Sequence, residues 1–291
     1  MVPYQCRNTA SDGPNQGKTM YRRNDRQQLE YTITRLFCWT PPYCGWLWLL
    51  VLRMSKNHCR HVTLALSTQT TTTINGIAVH AEPLFRNNEN NRNSPYCFVA
   101  SVPPLDRPDI NFLATQVWPA ARQAAQYVQR HAHPDWTVCE WGCGPGLPSL
   151  AAAQAGCRVV ATDVDPFALS LVQQAAQQQG LSHVSTQLLD LTDPDAVLPP
   201  ADLYILSDVF ESAAVARDAA RLTVQALQRG RVWVFCQSDR AQRDAYVDEL
   251  RRLSSNNDHE QEQWVDASKP PCLEKGTLWL CNVDETKVSY G

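Results

Sequence analysis

Apolar and polar positions follow two different rhythms along this chain. Residues 70–74 and 77–81 alternate with a period of two on either side of Asn75-Gly76, the pattern of two strands joined by a two-residue turn. Residues 87–94 are Asn-rich and polar and predict a loop. Residues 120–130 place Ala121, Ala124, Ala125 and Val128 on one side of a helix. From there strands and helices take turns. Strands are expected at 137–141, 158–162, 184–188, 203–206 and 231–236, and helices at 148–155, 166–179, 213–228 and 241–253. Pro148 stands in the first turn of its helix and Gly156 follows the end. Asp165 is placed to cap the next helix and Gly180 to close it. The last two strands, 263–265 and 277–283, have no helix between them, so an antiparallel C-terminal strand is expected on an otherwise parallel sheet. The fold class is therefore α/β: a doubly wound sheet of seven strands with an N-terminal β-hairpin.

The regular pattern covers residues 70–291 and predicts one domain there. Residues 1–60 differ. They hold nine Lys/Arg and three acids, with poor periodicity, while the whole chain carries 26 Lys/Arg, 29 Asp/Glu and a net charge of −3. An apolar run, 43–52, is about half the roughly 20 residues that a membrane-spanning helix needs, so a membrane role is not expected. Three readings of this extension stand open: an Arg-rich targeting segment, a helix that packs on the domain or touches a membrane, or sequence outside the working protein, with Met54 as the start. The domain is expected in the cytoplasm, or in mitochondria if the extension is a targeting segment. The small acidic net charge gives no support to a nucleic-acid partner. Eleven cysteines form no CxxC pair and no Cys/His cluster, which predicts free thiols and no metal site.

Chemistry concentrates where the alternation begins. Glu140-Trp141-Gly142-Cys143-Gly144-Pro145-Gly146 lies between an expected strand and an expected helix. Glycines there let the backbone turn tightly and approach a ligand. The next strand ends at Asp163, 21 residues after Gly142, the spacing at which an acid meets ribose hydroxyls. The third strand leads to Asp190, whose carboxylate can accept from an adenine amino group. The fourth ends in Ser207-Asp208-Val209-Phe210-Glu211, at the strand ends that line the ligand crevice of open α/β sheets. The bend reads G-x-G-x-G followed by Leu147-Pro148, not the dinucleotide pattern G-x-G-x-x-G. Pro148 removes an amide that a pyrophosphate would use, a loss that matters less to S-adenosylmethionine, which has no phosphate.

These stretches, with Thr162-Asp163, Leu189-Asp190 and Leu206-Ser207-Asp208, resemble the successive motifs of the seven-stranded, Rossmann-like class of S-adenosylmethionine-dependent methyltransferases. Val117-Trp118-Pro119-Ala120-Ala121 is similar to a narrower group, the nicotinamide-methylase-like proteins and the lysine methyltransferases of non-histone proteins. The resemblance implies that Glu140, Gly142, Gly144 and Gly146 surround the methionine end of the cofactor. It also implies that Asp163 binds the ribose, that Asp190 and Ser207 line the site, and that Trp118 borders the methionine moiety or the substrate entrance. Lysine methyltransferases of the group carry Asp-x-x-Tyr or Asp-x-x-Phe at the fourth strand. Here Glu211 stands at the aromatic position, and Phe210 offers an aromatic wall one residue early.

The expected reaction is in-line methyl transfer to nitrogen, in which catalysis is mainly alignment. A lysine nucleophile must be neutral, which desolvation favours; Asp208 or Glu211 is placed to hold the incoming ammonium. The acceptor is read as a lysine of a non-histone protein or a small nicotinamide-like amine. A non-catalytic interaction module and a dinucleotide oxidoreductase are the competing classes.

Overall fold

The computed structural model of the chain describes residues 72–85, 94–101, 107–253, 264–266 and 268–283. All belong to the unit Leu66–Gly291. The expectations for residues 1–60 and for most of 87–94 lie outside the described residues.

The chain opens with β1 (Thr72–Ile74) and β2 (Ile77–Pro83), antiparallel across Asn75-Gly76. Both turn residues have left-handed φ, +49° and +81°, as the tight hairpin turn requires. A third strand, β3 (Tyr96–Ala100), adds to β2. It is apolar along its length with no alternation, so its period gave no strand signal. A short 3-10 turn, Phe112–Thr115, then leads into α1 (Pro119–His131).

From here the order is β4 (Thr137–Trp141), α2 (Leu147–Gln154), β5 (Arg158–Asp163), α3 (Pro166–Gln178), β6 (Val184–Leu188), β7 (Leu203–Ser207), α4 (Ala213–Leu227), β8 (Arg231–Gln237), α5 (Gln242–Leu253), β9 (Val265–Asp266) and β10 (Leu278–Val283). The seven strands order as β6-β5-β4-β7-β8-β10-β9. Alternate side chains feed two cores. Val138, Leu203, Ile205, Trp233, Phe235 and Trp279 pack with Ala120, Ala124 and Val128 of α1. Cys139, Trp141, Tyr204, Leu206, Val232 and Val234 pack with α4 and α5 through residues such as Ala219, Leu222 and Tyr246. Trp141, Trp233, Tyr204 and Phe235 are among the largest fully buried side chains, and each contributes roughly 1.5–3 kcal/mol by leaving water. The three-stranded sheet covers α2 and α3 through Ile74, Val79, Val99, Leu150, Phe167 and Leu171.

One expectation is corrected. The C-terminal strand is not antiparallel: β10 runs parallel to β8 (Leu278↔Val232) and to β9 (Cys281↔Val265). Residues 268–277 between them are turn and irregular chain, and about ten residues reach roughly 33 Å. That exceeds the ~20 Å of a six-residue strand, so the chain returns to the start of the sheet without a helix.

Sequential strands step outward from β4 in one direction to β5 and β6, and then from β7 in the other. The crevice at this reversal, outside the strand C-termini, is where open α/β sheets bind ligands.

Candidate functional site

The bend after β4 is shaped by glycine. Gly142, Gly144 and Gly146 have φ of +59°, +49° and +74°, which L side chains rarely adopt. The space is as restrictive as the angle. A Cβ on Gly142 would stand 2.8 Å from Val209 Cγ1, and one on Gly146 would stand 2.5 Å from Val172 Cγ2. Gly146 is the N-cap of α2, and Pro148 sits in the first turn without an amide hydrogen to offer.

Asp163 ends β5 with its side chain turned into this bend. Oδ2 accepts from the Gly144 amide at 2.8 Å and Oδ1 from the Asp165 amide at 2.9 Å. Burial raises its pKa, and the two amide bonds oppose that shift. Asp165 has the separate job of capping α3. It accepts from Phe167 N at 2.7 Å and, through its other oxygen, from Asn111 N at 2.8 Å, which holds the 3-10 turn over the bend.

A cavity of about 280 Å³ opens here. It is lined by Trp118, Gly142, Gly144, Gly146, Asp163, Asp190, Ser207, Asp208, Phe210 and Glu211, so the structure brings ten of the eleven expected residues together. Asp190 is exposed on the rim, where Oδ1 accepts from Thr192 N and Oγ1 at 2.8 and 2.7 Å, which lowers its pKa. Leu189 and Leu191 add apolar wall beside it. Trp118 Nε1 donates to Leu113 O at 3.0 Å, so the ring is fixed at the mouth. Glu211 is exposed on the rim. Phe210 is only 3% exposed and stacks on Tyr246 at 4.8 Å, so it closes the wall from within the core.

Glu140 is the exception. It was expected at the methionine end, yet it is fully enclosed and does not line the cavity. The alternation of β4 explains this: Cys139 and Trp141 face α4 and α5, so Glu140 points the other way, under the start of α2. Oε2 accepts from Ser149 N and Oγ at 2.9 and 2.6 Å, and Oε1 from Ser207 Oγ at 3.5 Å. Burial pushes its pKa up to about 8. It therefore ties β4, α2 and β7 together behind the bend.

Sequence reasoning missed Arg240. From the turn after β8 it reaches Asp208 with two parallel bonds, Nε to Oδ1 at 2.9 Å and Nη2 to Oδ2 at 2.7 Å. Asp208 itself has left-handed φ, +58°. Among the described residues there is no His/Cys/Asp/Glu group able to hold a metal ion, and the described cysteines are free.

A cradle of three glycines, an acid facing it from the next strand and no phosphate-ready amide at Pro148 together suit an amino-acid tail and a ribose. S-adenosylmethionine is the cofactor indicated for this site, whose bend and strand ends fall inside a stretch that matches a methyltransferase family model. Residues 138–230 match the family model described as a methyltransferase domain. The histone-arginine methyltransferase METTL23 of Homo sapiens is 35% identical over 103 residues, which cover 32% of this chain and 53% of that protein. The ribosomal protein L11 methyltransferase of Dichelobacter nodosus is 32% identical over 121 residues, 40% of this chain and 39% of that one. The chain thus spans about half the length of the human enzyme and less of the bacterial one. Among solved structures, a TehB-like S-adenosylmethionine-dependent methyltransferase from Corynebacterium glutamicum shares 16% identity with a TM-score of 0.37, covering 45% of this chain and 71% of that one.

Proposed function

We propose that this chain transfers the methyl group of S-adenosylmethionine to a side-chain nitrogen of a protein, with arginine as the acceptor. The observation that carries the reading is the Asp208 carboxylate. It sits in the wall of the cofactor cavity in a geometry that takes a guanidinium through two parallel bonds. The relatives named above are named for protein substrates, a histone arginine in one and ribosomal protein L11 in the other.

The glycine bend and Asp163 would hold the cofactor, whose sulfonium supplies an already activated methyl group. The remaining work belongs to the chain. Asp208 orients the acceptor and shares its charge, Trp118 borders the entrance, and Phe210 and Val209 keep the wall apolar. A nitrogen lone pair forms the new C–N bond as the C–S bond breaks, and the nitrogen loses its proton to Asp208 or to water.

Lysine, the acceptor implied by the resemblance, keeps one supporting observation: Glu211 is exposed at the rim and suits an ammonium. One experiment separates the two. A cell lysate is labelled with the full chain and methyl-tritiated cofactor, and the modified residue is mapped by mass spectrometry. Methylarginine in a discrete protein band is expected. Methyllysine would transfer the reading to lysine, label in small molecules would move it to the nicotinamide-like class, and no label with no cofactor binding would overturn it.

A further inference from the structure

The Asp208–Arg240 pair is lopsided. The Asp208 side chain is 1% exposed and the Arg240 side chain 38%. Another Arg–acid pair of the described residues, Arg122 with Glu82, is different: both side chains are largely buried, at 6% and 11%, and Arg122 also donates to Pro83 O at 3.0 Å. That pair joins β2 to α1, and neither residue lines the cavity described above. Asp208, in contrast, is aimed into the cavity by its backbone. Its φ is left-handed, and its amide is held by Phe235 O at 3.0 Å. Arg240 arrives from a turn on a long side chain. Beyond Asp208 it meets Gln237 Oε1 at 3.5 Å, and its Cζ lies 5.8 Å from the centroid of the Trp118 ring. Among the described residues its Nη1 has no hydrogen-bond partner.

The charges of the cavity point the same way. Its charged lining residues are four acids, Asp163, Asp190, Asp208 and Glu211, and one base, Arg240. With Arg240 withdrawn the lining is wholly acidic and attracts a cation. A planar guanidinium suits a bidentate carboxylate beside an aromatic face better than an ammonium does.

We propose that Asp208 and the Trp118 ring form a guanidinium subsite in the acceptor end of the cavity, and that Arg240 occupies this subsite until an acceptor arginine takes its place. The proposal rests on the arginine reading above and adds to it a residue of the chain that stands in for the substrate. Arg240 keeps the buried Asp208 paired while no acceptor is bound, which avoids the cost of an uncompensated buried charge.

The test uses a probe of known identity, 1-methylguanidine, with 1-methylamine as comparison. Binding to the full chain is followed by NMR titration and by the rise in Tm at millimolar probe. Arg240→Ala is expected to bind 1-methylguanidine at least tenfold more tightly than the wild type and more tightly than it binds 1-methylamine. Adding Asp208→Asn to Arg240→Ala is expected to abolish the gain. Arg240→Gln serves as a second variant if Arg240→Ala does not fold, with the same gain expected. A folded Arg240 variant that binds 1-methylguanidine no better than the wild type overturns the proposal, as does a gain that survives Asp208→Asn. The titration needs neither turnover nor cofactor. Failure of the arginine reading therefore shows separately, as methyllysine or no label in the lysate experiment.

Discussion

Oδ2 of Asp163 accepts the amide hydrogen of Gly144 at 2.8 Å, so the acid that closes one strand is bonded to the middle of the bend that follows its neighbour. That bond fixes the distance between the two halves of the proposed cofactor site, in which the remaining carboxylate lone pairs are assigned to sugar hydroxyls. Asp163→Ala removes both functions. A hydrogen bond to a charged group is worth about 1.5–3 kcal/mol, so affinity for S-adenosylhomocysteine is expected to fall by roughly tenfold to a hundredfold in calorimetry. Unchanged affinity would remove Asp163 from the site.

Gly146 supports a prediction about stability. A Cβ there meets Val172 Cγ2 at 2.5 Å, at a φ of +74°. Left-handed backbone costs an ordinary residue about 1–2 kcal/mol, and the overlap adds to it. Gly146→Ala is therefore expected to lower the Tm clearly, and Val172→Ala in the same chain to recover part of the loss. No recovery would show that the backbone angle, not the contact, limits the position.

The contrast between these residues and Arg240 shows what the sequence makes legible. The bend and Asp163 are readable because strand, loop and helix are contiguous and the 21-residue spacing is set by one βαβ unit. Arg240 lies 32 residues from Asp208 and follows a turn with no motif, so only the fold brings them together. That Glu140 lies behind the bend and not on the cavity wall depends on which face of β4 it occupies, and a strand buried at every position after Thr137 hides that parity. The same applies to β3, whose buried residues show no alternation. The direction of β10 was misread because a helix-free connector ordinarily signals a hairpin, while this one is long enough to cross back.

Asp208 tests the transfer step directly. Asparagine tolerates left-handed φ about as well as aspartate, so Asp208→Asn changes charge with little change in backbone. It is expected to lower methyl transfer to lysate protein by on the order of tenfold to a hundredfold, the loss of one charge-assisted bond to the acceptor. Affinity for S-adenosylhomocysteine is expected to stay within about twofold, because the proposal assigns that binding to Asp163 and the glycine bend. A variant that transfers at the wild-type rate would take Asp208 out of the acceptor site.

Glu140 couples the fold to pH. Burial pushes its pKa up to about 8, the Ser149 hydrogen bonds oppose the shift, and the charge on Asp163 adds to it. In the unfolded chain a glutamate titrates near about 4.3. Between about 4.3 and about 8 the folded protein holds a proton that the unfolded chain has released. Stability is therefore greatest below the unfolded pKa, falls as pH rises through that window and levels off above about 8. Asp163, also raised by burial, acts in the same direction and remains in the variant. Glu140→Gln keeps a carbonyl to accept from Ser149 and removes the titration. Thermal melts from pH 5 to pH 8 are expected to show a decline in Tm for the wild type and a shallower decline for the variant. Parallel declines in the two proteins would mean that Glu140 is ionised in the folded state, with water or a cation reaching it behind the bend.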